Sequence, residues 1–119
     1  MSTTSFGRSV GGVQTGLTAL SGGGASGATE ITGAVVTVTT VAADNDSLIL
    51  PAGRAAGDRI VVANLDAAQD IKVFPNTGGT INGAAANTGL AVGQQQAAEF
   101  VCVDGDAWLA LLGAVATPA

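Results

Sequence analysis

The chain reads as all-β: a small antiparallel β-sandwich or barrel of about seven short strands, preceded by an extended Gly-rich N-terminal arm. Three observations predict that class. Short runs of Val, Ile, Thr and Leu recur along the chain, and β-branched residues fit a pleated, half-buried surface. Clusters of Gly, Asn, Asp and Pro separate these runs, and such residues punctuate turns. The one stretch with helical apolar spacing, Phe6, Val10, Val13, Leu17 and Leu20, also holds Gly7, Gly11, Gly12 and Gly16. Each of those glycines costs about 1 kcal/mol relative to alanine inside a helix.

Residues 1–28 are therefore expected to form an extended arm. Its apolar pegs are Phe6, Val10, Val13, Leu17 and Leu20, and the linker-like run SGGGASG occupies 21–27. An arm of this composition finds its contacts on a neighbouring chain; the alternative is that it folds back on its own domain. Residues 29–119 form the β-domain.

Within that domain, residues 30–42 (EITGAVVTVTTVA) are rich in β-branched side chains, and Gly33 marks a bulge or a close backbone approach. Asp44, Asn45 and Asp46 form a turn cluster. A short strand over 47–50 is closed by Pro51, which cannot donate to a sheet ladder. After a loop over 52–57 comes the stretch that organises the rest, 58–76. It reads as two strands, 59–65 and 71–76, joined as a hairpin by the five polar and small residues 66–70. Ile60, Val61, Val62 and Ala63 make an unbroken apolar run, as in a strand covered on both faces. Ile71, Val73 and Pro75 point one way, and Lys72 and Phe74 the other.

Residues 76–79 turn the chain, 80–83 begin a short element, 84–89 form a loop, and 90–92 a short strand. In 98–103, Phe100 and Cys102 share one face, while Val101 and Val103 share the other. Asp104-Gly105-Asp106 is a hairpin turn into the last strand, 107–112. The expected core is Ile60, Val62, Ile71, Val73, Phe74, Phe100 and Trp108, with a subunit contact as the other reading of the single tryptophan.

Charge and composition narrow the function. The formal net charge is −5, and the only cations, Arg8, Arg54, Arg59 and Lys72, are scattered singly. Phosphate neutralisation needs clustered Lys and Arg, so no nucleic acid and no anionic membrane surface is expected as partner. No apolar run approaches the length of about 18 residues that a spanning helix requires. The N-terminus has no apolar h-region, and one cysteine allows no internal disulfide, so synthesis in a reducing cytoplasm is expected.

Chemistry-bearing patterns are sparse. With no histidine, a serine or cysteine nucleophile lacks its usual base. Cys102 lies in an apolar strand and reads as a buried, inert thiol. Residues 22–27 match G-x-G-x-x-G formally, but a strand pattern follows where pyrophosphate binding needs a helix N-terminus. Asp44 with Asp46, and Asp104 with Asp106, read as solvated turns rather than cation ligands. No catalytic residue, metal or cofactor is expected. Charged residues make up 11% and aromatic residues 3% of the chain, with a mean hydropathy of +0.46. A surface this poor in charge favours association, so a homo-oligomer is expected.

The arrangement GDRIVVANLDAAQDIKVFPNTGGTING (57–83), followed by Leu90, Val92, Gly93, Phe100 and Trp108, resembles small β-domains of tailed-bacteriophage structural proteins. Among these it is most similar to capsid decoration, or cement, proteins, and the similarity extends over residues 35–112. The resemblance implies a structural virion protein on the capsid surface, made in the host bacterial cytoplasm. It further implies a trimer, the major capsid protein as partner, and stabilisation of the shell by bridging capsid subunits. It supplies no contact residues. The alternative function is a phage fibre or tail-appendage module that binds host surface glycan, for which a chain without tyrosine is poorly equipped.

Overall fold

The computed structural model describes residues 12–21 and 24–116. All of its elements are strands, and among the described residues there is no helix. In chain order they are β1 (Val13–Thr18), β2 (Thr29–Glu30), β3 (Val35–Thr40), β4 (Asp46–Ile49) and β5 (Arg59–Asn64). There follow β6 (Ile71–Phe74), β7 (Thr80–Ile81), β8 (Leu90–Val92), β9 (Gln96–Cys102) and β10 (Ala107–Ala114). Two sheets result, one of six strands in the order β1-β3-β5-β9-β10-β7 and one of four in the order β2-β4-β6-β8.

The first six strands alternate between the sheets, so the chain winds through three turns of a solenoid-like coil. Within that coil the strand ladders are all parallel: β1 on β3, β3 on β5, β2 on β4, and β4 on β6. Like residues stack from turn to turn. Val13, Val35 and Val61 are in register on the six-stranded sheet, and Leu48 and Val73 on the other. Between the sheets lie Val36, Val38, Leu48, Ile60, Val62, Ile71, Val73 and Val92, all at 0% exposure, which places them away from water altogether.

This architecture replaces the expected antiparallel sandwich or barrel. The decisive difference is at residues 66–70, which join β5 to β6 as a corner between two sheets and not as a hairpin within one. Hairpin turns and solenoid corners draw on the same short polar residues, so local composition does not separate them. Asn64 decides the corner. Its buried amide Nδ2 donates to the carbonyls of Gln69 (2.9 Å), Val92 (3.1 Å) and Gly93 (3.1 Å), and its Oδ1 accepts from Asp66 N at 3.1 Å.

Asp66 completes the corner as an Asx turn, its Oδ1 accepting the amides of Ala68 (2.8 Å) and Gln69 (2.9 Å). Those two bonds, Ala68 first, hold its carboxyl below the ordinary carboxylate value of 3.8. A carboxyl with a depressed folded pKa adds stability above its unfolded pKa and loses it as pH falls through the folded value. Asp66→Asn is therefore expected to flatten the acid limb of stability below about pH 4. Thermal melts from neutral pH downward check this; parallel acid limbs for the two proteins would refute it.

The last third of the chain reverses the coil's direction. β8 runs antiparallel on β6, and β9 antiparallel on β5. β9 and β10 then form a hairpin around Gly105 (φ +62°), and β7 lies parallel against β10. These strands cover the last turn of the coil and carry Phe100 and Trp108 into the core.

At the other end, β1 joins the domain that it was expected to leave. It pairs with β3, and beyond it Leu20 and Ser47 exchange both backbone hydrogen bonds at 3.0 Å. The described part of residues 1–28 thus lies on its own chain, and the expected boundary after residue 28 falls inside the first turn of the coil. Phe6 and Val10 lie outside the described residues. Gly33 is a close backbone approach: a Cβ there would meet Gly12 O at 3.0 Å and Gln14 Cβ at 3.1 Å. β1 is an edge strand with two register shifts and with Gly16 at φ +68°. Bulges of this kind blunt an edge against further strand pairing.

Candidate functional site

The polar side chains of the fold mostly hold its own backbone. Asp44 Oδ1 accepts from Asp70 N at 2.9 Å, and Asp46 Oδ2 accepts from Ala42 N (3.0 Å) and Ala43 N (3.1 Å). Asp106 Oδ1 accepts from Asn76 Nδ2 at 2.8 Å, while Asn76 Oδ1 accepts from the Trp108 indole at 2.9 Å. Asp44 and Asp46 therefore order the turn before β4, and Asp106 ties the turn before β10 to Asn76. Cys102 is buried, with its thiol 3.7 Å from the Arg54 carbonyl. Among the described residues no three His, Cys, Asp or Glu side chains converge, and every buried side-chain nitrogen or oxygen has a partner.

Two adjoining grooves, of about 290 and about 460 Å³, share Ile31, Thr32, Pro51 and Ala52 in their walls. Their charged residues are Glu30, Arg54 and Asp58. Arg54 Nη2 donates to Thr32 O at 3.2 Å, and Asp58 Oδ2 accepts from Ala55 N at 3.0 Å. Those contacts brace the loop over 52–58 against the corner at Thr32. They set no nucleophile beside a base.

What the fold does assemble is a surface. On the six-stranded sheet, residues facing away from the core form continuous rows across strands. One row is Val13, Val35, Val61, Glu99 and Leu111, in register across β1, β3, β5, β9 and β10. Beside it run Arg59, Val101 and Leu109, and on its other side Ala63, Ala97 and Gly113. Val13 is 69% exposed, Val35 45%, Val103 55%, Leu109 46% and Leu111 57%. The other large apolar side chains left exposed among the described residues are Leu65 and Leu112. The charges on this face are Arg59 and Glu99, paired with each other at 2.8 Å. An ion pair this exposed contributes little to stability, but it leaves the face neutral.

Comparison with protein-family models, with curated proteins and with solved structures finds no match.

The expected arm contacts are dispersed by the fold. Val13 joins the exposed sheet face, Leu17 packs partly buried against the core, and Leu20 is half-buried at its bridge to Ser47. The residues assigned to the core, Ile60, Val62, Ile71, Val73, Phe74, Phe100 and Trp108, are each buried. Phe74 lies apart from the main cluster. It sits with Lys72 against Gly89, where a Cβ would come within 3.1 Å of its ring, and the Lys72 ammonium lies 5.9 Å from the ring centroid. Val35, Arg59, Glu99, Leu109 and Leu111 were not singled out from the sequence. Alternation in residues 107–111 was the available signal, because it puts Trp108 and Ala110 on one face and Leu109 and Leu111 on the other.

Proposed function

We propose that this chain is a structural virion protein that decorates the outside of a tailed-phage head. There it would bind the major capsid protein and stiffen the shell by bridging its subunits. The observation that carries the reading is how the fold divides its side chains. Polar groups are committed to turns and corners, while exposed apolar side chains gather on one neutral sheet face. A protein so built works through the area it covers, since contiguous exposed apolar patches mark association sites. The resemblance of residues 57–83 to decoration proteins supplies the capsid.

Bridging gains from multivalency, because each contact raises the effective concentration of the next without any new chemistry. The glycan-binding reading has less support: Phe74, Phe100 and Trp108 are all buried, so among the described residues no aromatic platform is offered to a sugar ring. Phage heads assembled with and without this protein provide the test. Heads lacking it are expected to rupture at lower temperature and under milder osmotic shock. Equal rupture thresholds, or no binding of the purified chain to bare heads, would refute the proposal.

A further inference from the structure

We propose that the outer face of the six-stranded sheet is where a second copy of this chain docks, face to face about a two-fold axis. The face is the place where two copies of an anionic molecule can meet. The chain carries a formal charge of −5, yet the charged groups in the rows described above are Arg59 and Glu99, one of each sign. Away from that face, acidic groups such as Asp44, Asp66, Asp70 and Asp104 would oppose their own kind across any contact between copies.

The pair also selects the partner. A basic partner attracts Glu99 but meets Arg59 as its like, and an acidic partner does the reverse, so neither sign of partner gains from the pair. A second copy related by a two-fold axis that bisects the Arg59–Glu99 pair sets Glu99 opposite Arg59 and Arg59 opposite Glu99 at once, the self-complementarity that an isologous interface requires. Around these charges Val13, Val35, Leu109 and Leu111 supply the apolar area, four of the seven large apolar side chains left exposed among the described residues. The register of Ala63, Ala97 and Gly113 keeps one side of the face low. Two sheets can therefore approach to the usual separation of about 10 Å. The bulged edge of β1 discourages the competing edge-to-edge pairing.

Five strands about 4.8 Å apart and some six residues long make a face of roughly 400 Å² in projection. Two such faces amount to roughly 800 Å² together, below the standard size of a specific interface, so the contact is a weak one, micromolar at best. The second copy takes the same face that carries the capsid reading, and makes two copies where the resemblance implies three; the proposal therefore concerns the free chain and is tested on it, while the capsid reading is tested on heads.

The full chain at about 100 µM, well above a micromolar dissociation constant, is expected to show twice the monomer mass of 11.4 kDa by light scattering. Leu111→Lys, at a site 57% exposed, should fold normally by circular dichroism and run as a monomer. Arg59→Glu makes the face doubly negative and Glu99→Arg makes it doubly positive. Each variant alone should be monomeric, and an equimolar mixture should recover the dimer mass at least tenfold more readily than either. A monomeric parent at that concentration overturns the proposal. So does a mass of three copies, or a dimer that all three substitutions leave intact, or a mixture of the charge variants that stays monomeric.

Discussion

Replacing Trp108 by alanine is expected to lower the unfolding free energy by about 4 kcal/mol, a large part of what holds a domain of this size together. Trp108 is 2% exposed and is the largest side chain in the core. Apart from Phe100 its companions in the buried cluster are aliphatic side chains and Cys102, too small to fill the space an indole leaves. The cost has two parts. Removing the indole opens a cavity between β10 and the coil, and it leaves Asn76 Oδ1 without the donor it holds at 2.9 Å. Asn76 is 3% exposed and passes its other bond to Asp106, so the loss reaches the turn that begins β10.

Trp108→Phe separates the parts. It keeps most of the apolar volume and loses the hydrogen bond, for which about 1–2 kcal/mol is expected. Urea unfolding of the three proteins at one fixed concentration reads both values, the fixed concentration being needed because association shifts apparent stability. An alanine variant within about 1 kcal/mol of the parent would mean that the tryptophan does not carry the core.

The second large effect belongs to Asn64. Asn64→Ala is expected to cost about 3 kcal/mol, and Asn64→Leu no less, because stranded buried acceptors cost more than the added apolar contact returns. The side chain is fully buried, and its amide serves three carbonyls, on Gln69, Val92 and Gly93, while its oxygen takes the Asp66 amide. These partners sit on the β5–β6 corner and at the end of β8. One side chain thereby fastens the last turn of the parallel coil to the strands that close it.

The expected readout is local as well as global. Hydrogen exchange should quicken at residues 66–70 and around 92–94 before it does so in β3 or β4. A substituted protein whose exchange accelerates evenly, or not at all, would show that the corner does not depend on this amide. In the stack of the six-stranded sheet, Leu17 and Val38 occupy the corresponding positions of the earlier turns. The asparagine thus stands where the parallel pattern ends.

Much of the local structure was legible in the residues. The strand expected over 90–92 is β8; that over 98–103 is β9, which starts two residues earlier and ends one earlier, and that over 107–112 is β10, which runs two residues further. The inward alternation of Phe100 and Cys102 against Val101 and Val103 is the alternation the sheet shows. β1 was hidden by Gly12 and Gly16, whose low strand propensity is overridden by the ladder to β3 and by the Gly16 amide's bond to Thr37 Oγ1 at 3.0 Å. The turns of the coil are unequal in length, so Val13, Val35 and Val61 stack without giving the fixed spacing by which repeats are recognised.

By itself the sequence determines that this is a β-protein, where most strands begin and end, and which side chains leave water. Those properties follow from turn chemistry and the two-residue period of a strand, and both act within a few residues. Only the tertiary structure decides which strands are neighbours. Val35 meets Val61, and Ile71 meets Asp46 on one side and Val92 on the other, through hydrogen bonds between distant segments that leave no local mark. That choice of neighbours makes a coil where a hairpin was expected. It also turns isolated residues such as Val13, Arg59, Glu99 and Leu111 into one continuous face, because a surface spread over five strands exists only once the strands have paired.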